Sequence, residues 1–156
     1  MKLVFKDAPY GIEHTLRVLQ NADEIVTGES LDQKTMEIIS LSAILHDIGA
    51  LKAHRKYNSM EGHFQEIEGP PIAQKILERV GISNQVVDRV CFLVGNHHTP
   101  LRIDGLDFQI LWEADFLNDL EFGEQSKTRE QLHIEIQENF QTATGRSLAL
   151  KRCGLT

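Results

Sequence analysis

The stretch that decides the fold runs from Ser30 to Gly49 and reads SLDQKTMEIISLSAILHDIG. Ser30, with Gln33 three residues later, matches a capping box and predicts that a helix starts here. Gly49 is a typical C-cap glycine, so we expect the helix to end just before it. Between the two, apolar residues at helical spacing predict a core-facing stripe of Met36, Ile39, Ala43 and Ile44.

The pair His46-Asp47 falls in the last turn of this predicted helix. Neighbouring helical residues point about 100° apart, so both side chains reach one ion only beyond the helix end or against its flank. The carboxyl end of a helix also carries partial negative charge, which favours a cation. The pair therefore indicates a metal site. The dipeptide alone leaves one alternative open, a buried core histidine followed by a solvated acid.

Composition restricts the class of protein. The chain has 156 residues with 41% hydrophobic and 25% charged, which fits one globular domain. Only 16 Lys and Arg oppose 23 acids, for a net charge of -7, so we expect no binding to polymeric nucleic acid. No apolar run is long enough to span a bilayer, and we expect a cytoplasmic protein without membrane contact. Cys91 and Cys153 are too few for a disulfide framework.

Helical periodicity dominates, and no segment shows the alternation and hairpin signals of strands, so we predict an all-α protein. A first helix over 10–26 carries His14 and presents an apolar stripe of Ile12, Leu16, Leu19 and Val26. The polar segment 50–68, with His54 and His63, reads as a long loop or a short irregular helix.

The later helices bring more histidines and an acid to helix ends or apolar faces. Pro70-Pro71 open a predicted helix over 72–80, which ends at Gly81. A helix over 83–95 follows and delivers His97-His98 at its end.

The next predicted helix starts at Gly105 or Asp107 and carries Asp115 beside the inward-facing Ile110, Leu111, Ala114 and Leu117. A last helix, over 128–144, begins with a capping box of Thr128 and Gln131 and ends at Gly145. Imidazole nitrogen and carboxylate oxygen together suit Mn, Fe, Co, Ni or Zn, whereas Mg and Ca prefer an all-oxygen set.

The order His14, His46-Asp47, Asp115 resembles the H...HD...D signature of the HD-domain superfamily of metal-dependent phosphohydrolases. His97-His98 and Glu113-Ala114-Asp115 agree with it. The resemblance implies a single compact HD domain over residues 1–156, an α-helical bundle of about six to seven helices. It also implies a first divalent metal held by His14, His46, Asp47 and Asp115.

Many HD proteins bind a second metal through an extra histidine and a later histidine pair, with the HD aspartate bridging. By this resemblance His63, His97 and His98 are the second set of ligands. Gln65 stands where the extra histidine is common, two residues after His63. The alternative is a single metal, with His97 or His98 contacting the substrate.

The resemblance implies hydrolysis of a nucleotide or another small phosphate ester by water that the metal activates. Asp47, His97 and His98 are the expected catalytic residues, with Glu66 or Glu68 as alternatives for moving protons. The basic residues after the HD pair offer charge to a substrate phosphate, or form a solvated turn; they are Lys52, Arg55 and Lys56.

Two other functions stay open. The chain could be a regulatory HD module that binds metal and nucleotide without turnover, or a di-iron oxygenase built on the HD fold. We expect a small phosphorylated molecule as the partner, and leave self-association open.

Overall fold

The computed structural model describes residues 9–123 and 127–156, and these form eight α-helices, one 3-10 helix and no strand. The all-α prediction is confirmed. The α-helices are α1 (Pro9–Gly28), α2 (Gln33–Leu45), α3 (Ala50–Tyr57), α4 (Gly62–Arg79), α5 (Asn84–Val94), α6 (Leu106–Phe122), α7 (Arg129–Asn139) and α8 (Ala143–Arg152), with the 3-10 helix over Pro100–Arg102.

Helix α2 packs against α1, α5 and α6, while α4 packs on α5 and α3. Their facing sides make the main core, which includes the fully buried Val18, Ile25, Ile39, Ala43, Val90, Leu93, Phe108 and Ile110. The four residues of α6 predicted to face inward are all buried, so that prediction is confirmed. Within the described ranges, no helix combines the length and apolar character needed to cross a bilayer.

The start of α2 differs from the prediction. Asp32, not Ser30, is the N-cap: its carboxylate accepts from the backbone N–H of Thr35 (3.0 Å) and from the Thr35 hydroxyl (2.7 Å). An aspartate caps a helix as well as a serine does, so either residue satisfied the local pattern. Met36 is 36% exposed, while Ile39 and Ala43 of the same predicted stripe are buried.

The buried face of α1 also lies to one side of the predicted stripe. Leu16 is 55% exposed, whereas Val18, Ala22 and Ile25 are fully buried. Two apolar lines run along this helix, and only packing against α2 and α6 selects between them.

The segment over 50–68, predicted as a long loop or a short irregular helix, contains all of α3 and the start of α4. Helix α3 ends at Tyr57, and Asn58, whose backbone is left-handed (φ 53°), is its C-cap. Helix α4 then starts at Gly62 and continues through Pro70 and Pro71, so the prolines do not open it. A proline removes a helical hydrogen bond, but the buried face of α4 runs unbroken from Gln65 to Leu77.

The predicted last helix is two helices. The Thr128–Gln131 capping box is confirmed, but α7 ends at Asn139 and α8 starts after Thr142. The buried carboxylate of Glu113 on α6 accepts the backbone N–H groups of Gln141 (2.6 Å) and Thr142 (2.9 Å) and the Thr142 hydroxyl. These bonds stabilise the non-helical segment between α7 and α8. Gly145 lies inside α8 rather than at a helix end.

Candidate metal centre

His46 and Asp47 lie in the turn between α2 and α3. His46 is the C-cap of α2 and keeps helical backbone angles (φ -52°, ψ -48°). The carbonyl of Asp47 accepts from the backbone N–H of Ala50 (3.0 Å), at the start of α3. The His46 side chain is buried, while the Asp47 side chain is 23% exposed. The pair therefore lies beyond the end of α2, where two neighbouring side chains can approach one ion.

Gly49 has a different role from the predicted one. Its φ is -76° and it precedes α3 as the N-cap, so it is not a left-handed C-cap of α2. A Cβ atom at this position would come within 2.5 Å of the Gln65 carbonyl oxygen and 2.7 Å of the Gly69 nitrogen. We call residues 46–49, between α2 and α3, the HD turn. The absence of a side chain on Gly49 lets the HD turn lie directly against the backbone of α4.

Four side chains from three regions of the chain meet at this turn. The Nε2 atoms of His14 and His46 are 3.0 Å apart, and Nε2 of His14 is 3.3 Å from Oδ2 of Asp47. Oδ1 of Asp115 is 3.3 Å from Nε2 of His14 and 3.8 Å from Nε2 of His46. Helices α1 and α6 and the HD turn therefore bring together the four residues predicted to bind a first metal.

A second group shares Asp47. The other carboxylate oxygen of Asp47, Oδ1, lies 3.4 Å from Nε2 of His97. His97 follows the end of α5. Ligand atoms of Asp47, His97 and His98 all lie within 4.8 Å of one another. Asp47 thus has one oxygen facing each group of histidines. The pairs His46-Asp47 and His97-His98 each follow the carboxyl end of a helix, α2 or α5, where partial negative charge favours a cation.

Backbone carbonyls orient two of the imidazole rings. Nδ1 of His46 donates to the Ala43 carbonyl (2.9 Å), and Nδ1 of His97 donates to the Val94 carbonyl (2.8 Å). A neutral imidazole that donates from Nδ1 has a lone pair on Nε2. In that neutral form each ring would present the lone pair of Nε2 to a metal ion beside the carboxylates.

Sequence reasoning missed Asn118, which supports His14. The Asn118 side chain is buried, and its Nδ2 lies 3.1 Å from Nδ1 of His14. Its Oδ1 accepts from Nε of Arg17 (2.9 Å). Asn118 follows Asp115 by three residues and so shares its face of α6, which is the sequence signal that could have revealed it.

The charges of the cluster stabilise one another. Burial lowers the pKa of His14, but the carboxylates of Asp115 and Asp47 beside it outweigh burial and raise that pKa to about 10. Burial raises the pKa of Asp47, yet the neighbouring rings of His46, His14 and His97 hold it well below its usual value. Burial also raises the pKa of Asp115, but the neighbouring His14 outweighs burial and lowers that pKa below its usual value. The carboxylates of Asp47 and Asp115 are therefore ionised, and their negative charge attracts a cation.

The residues fit a divalent transition metal. Nε2 of His97 and Oδ1 of Asp115 are buried and, within the described part of the chain, make no hydrogen bond. Buried polar atoms rarely lack a partner, and an ion at this point would supply one. The donors are imidazole nitrogen and carboxylate oxygen, the set suited to Mn, Fe, Co, Ni or Zn.

The sequence matches the HD domain family over residues 11–137, most of its length. The chain belongs to the HD-domain family. The match includes His14, His46-Asp47, His97-His98 and Asp115, the residues that the fold gathers in one cluster.

Among solved structures, this HD domain is similar to a predicted HD superfamily hydrolase from an uncultured Thermotogales bacterium. The TM-score is 0.71 at 27% identity, over 98% of this chain and 80% of that one. The comparison with curated proteins gives no match. The family match and the hydrolase neighbour together support membership of a metal-dependent hydrolase family.

His63 does not join the ligand cluster of this HD domain. It lies in the first turn of α4 with 57% of its side chain exposed, next to Glu61 (3.6 Å). Gln65, two residues later, is buried: its Nε2 donates to the Met60 carbonyl (2.8 Å), and its Oε1 has no hydrogen-bond partner among the described residues. The first turn of α4 therefore presents a glutamine rather than a histidine to the interior.

The lysines predicted to bind a substrate phosphate bind Glu68 instead. Nζ of Lys52 and Nζ of Lys56 each lie 2.7 Å from its carboxylate, and the Tyr57 hydroxyl donates to it (2.8 Å). Glu68 is only 3% exposed. The two lysines therefore neutralise a buried acid where α3 packs on α4. Arg55, between them, is exposed.

Glu66, an alternative proton carrier in the sequence, holds the backbone after α5. Its Oε1 accepts from the backbone N–H of His98 (3.0 Å) and from the Thr99 hydroxyl (2.9 Å). His98 itself is exposed, and partial burial together with the neighbouring His97 lowers its pKa. His98 is thus the most accessible imidazole of the cluster.

Proposed function

We propose that this HD domain hydrolyses a nucleotide or another small phosphate ester with one or two divalent transition-metal ions. The observation that carries the proposal is the position of Asp47, with one oxygen toward His14 and His46 and the other toward His97. Family membership supports the hydrolytic chemistry.

In this proposal His14, His46, Asp47 and Asp115 hold the first ion. Asp47, His97 and His98 hold a second one. When bound, divalent transition metals supply Lewis acidity: they lower the pKa of water and offset the negative charge of a phosphate. Catalysis would then depend on how the protein residues orient these reactants.

The two carboxylates are suited to that task. The side chains of Asp47 and Asp115 remain 23% and 21% exposed, so water and a phosphate group reach them from one side. The buried imidazoles behind them, His46 and His97, are fixed by backbone carbonyls. If only the first ion is bound, His98 is free to contact the substrate, and the lowered pKa of its ring favours the neutral form, which can accept a proton.

The test uses the purified chain, stripped with a chelator and reloaded separately with Mn, Fe, Co, Ni or Zn. Bound metal is measured by elemental analysis, and phosphate release is measured on phosphomonoesters, nucleotides and cyclic nucleotides. We expect at least one ion per chain and metal-dependent release from one substrate class. Stoichiometric metal without turnover of any substrate, or no retained metal, would overturn the proposal.

A further inference from the structure

Two residues of α4 one helical turn apart, Gly62 and Glu66, contact His98. Glu66 accepts the backbone N–H of His98 (3.0 Å) and the hydroxyl of Thr99 (2.9 Å). Gly62 is four residues earlier, so it lies on the same face of the helix. One residue fixes the His98 backbone, and the other lies under its ring.

Gly62 leaves the space that the ring fills. A Cβ atom on Gly62 would lie 2.6 Å from both Cδ2 and Cγ of His98 and 2.8 Å from its Cβ. Real side chains do not approach so closely, so an alanine here would force the ring to move.

The backbone of Gly62 does not need a glycine. Among the described residues, only Gly81, Gly154 and Asn58 have a positive φ. The contact with His98 is the feature of Gly62 that requires a glycine.

The position of the ring matters because of what it faces. The His98 ring centroid is 4.0 Å from that of His97, and a ligand atom of His98 lies within 4.8 Å of those of His97 and Asp47. A methyl group on Gly62 would overlap Cβ of His98 as well as its ring, and rotation of the ring cannot relieve the contact with Cβ. Accommodating the methyl group therefore requires the His98 backbone to shift against its bond to Glu66, which would carry the ring nitrogen near Asp47 away from its present position.

We propose that Gly62 and Glu66 are positioning residues for the second metal ion, which they act on through His98. The inference rests on the proposed function, in which Asp47, His97 and His98 bind that ion. It assigns no part to the exposed His63, the residue next to Gly62.

The test counts Co²⁺ ions bound per chain by calorimetric titration and follows their visible absorption. We expect the unchanged protein to bind two ions. Gly62→Ala should lower the affinity of the second ion 10- to 100-fold, the range typical of residues that support a metal ligand. The first ion should bind as before. Glu66→Ala should weaken the second ion similarly, and Glu66→Gln, which keeps an acceptor oxygen, should recover part of the loss.

His63→Ala is the matched control, because it removes a histidine adjacent to Gly62; it should retain both ions. A Gly62→Ala protein that binds two ions with unchanged affinities overturns the inference, as does loss of the second ion in His63→Ala. Loss of both ions in Gly62→Ala also contradicts it. If the unchanged protein binds one ion and still hydrolyses phosphate esters, the inference fails while the hydrolytic function stands.

Discussion

Nδ2 of Asn118 lies 3.1 Å from Nδ1 of His14, and this contact joins His14 of α1 to α6, the helix that carries Asp115. Replacing Asn118 by Leu keeps the branched shape of the side chain but removes the hydrogen bond to the ring. We expect the affinity of the first metal ion to fall 10- to 100-fold, the usual effect of losing such a partner.

The measurement is a competition titration of the stripped protein with a metal-sensitive chelator. Asn84→Leu, the same change at an exposed position on α5, is the control and should bind as the unchanged protein does. Equal affinity in Asn118→Leu would show that the ring of His14 needs no such support.

Asp47 is the residue that both ligand groups share. Asp47→Ala should therefore remove metal retention and hydrolysis together, since each ion would lose a charged ligand. Elemental analysis and phosphate release, measured on one preparation, check this. Asp88→Ala, at an exposed acid on α5, should change neither. A protein with Ala at position 47 and an undiminished metal content would refute the shared role.

Gly49 permits the contact between the HD turn and α4. In Gly49→Ala a methyl group would press on the backbone at Gln65 and Gly69, atoms that cannot swing away. Overpacking of this kind costs about 1–3 kcal/mol, so the free energy of unfolding in urea should fall by that amount. Lys75→Ala, at an exposed position on α4, should stay within about 0.5 kcal/mol.

Stability should depend on pH through Glu68. Hydrogen bonds from Lys52, Lys56 and Tyr57 lower the pKa of Glu68 from 4.5 to about 2. Because the folded protein has the lower pKa, this contribution is complete above pH 4.5 and disappears as the pH falls toward 2. The difference in unfolding free energy between the unchanged protein and Glu68→Gln should be constant above pH 4.5 and decrease below it. Urea titrations at several pH values measure it; a difference that grows on acidification contradicts the assignment.

Local signals in the sequence predicted the parts of the fold that depend on local chemistry. The helix before His97 and the inward face of α6 follow from periodicity and end signals, whereas Gly49 misplaced the end of α2, which stops at Leu45. The paired prolines were misleading because burial along α4 outweighs their cost, which only the packed structure reveals. Ser30 and Asp32 offered equivalent caps, and the pattern alone could not rank them.

The supporting residues of the site were harder to predict, because their roles arise between helices distant in sequence. Gly62 and Glu66 meet His98 across more than thirty residues, and Asn118 meets His14 across 104. An isolated glycine or asparagine carries no such information by itself. His63 has the residue type of the family pattern but lies two positions before the expected place. A helix turns about 200° over two residues, so His63 faces solvent.

The bonds of Glu113 to residues 141 and 142 link the metal site to a part of the chain beyond the family match, which ends at residue 137. During synthesis, a nascent chain that has emerged only to Asn139 already contains every proposed metal ligand. It still lacks the backbone donors for a buried acid two residues before Asp115. Gln109 would remain as a donor to that acid, but three bonds from residues 141 and 142 would be missing. The segment after Asn139 thus satisfies a buried charge beside the metal site although it contributes no proposed ligand.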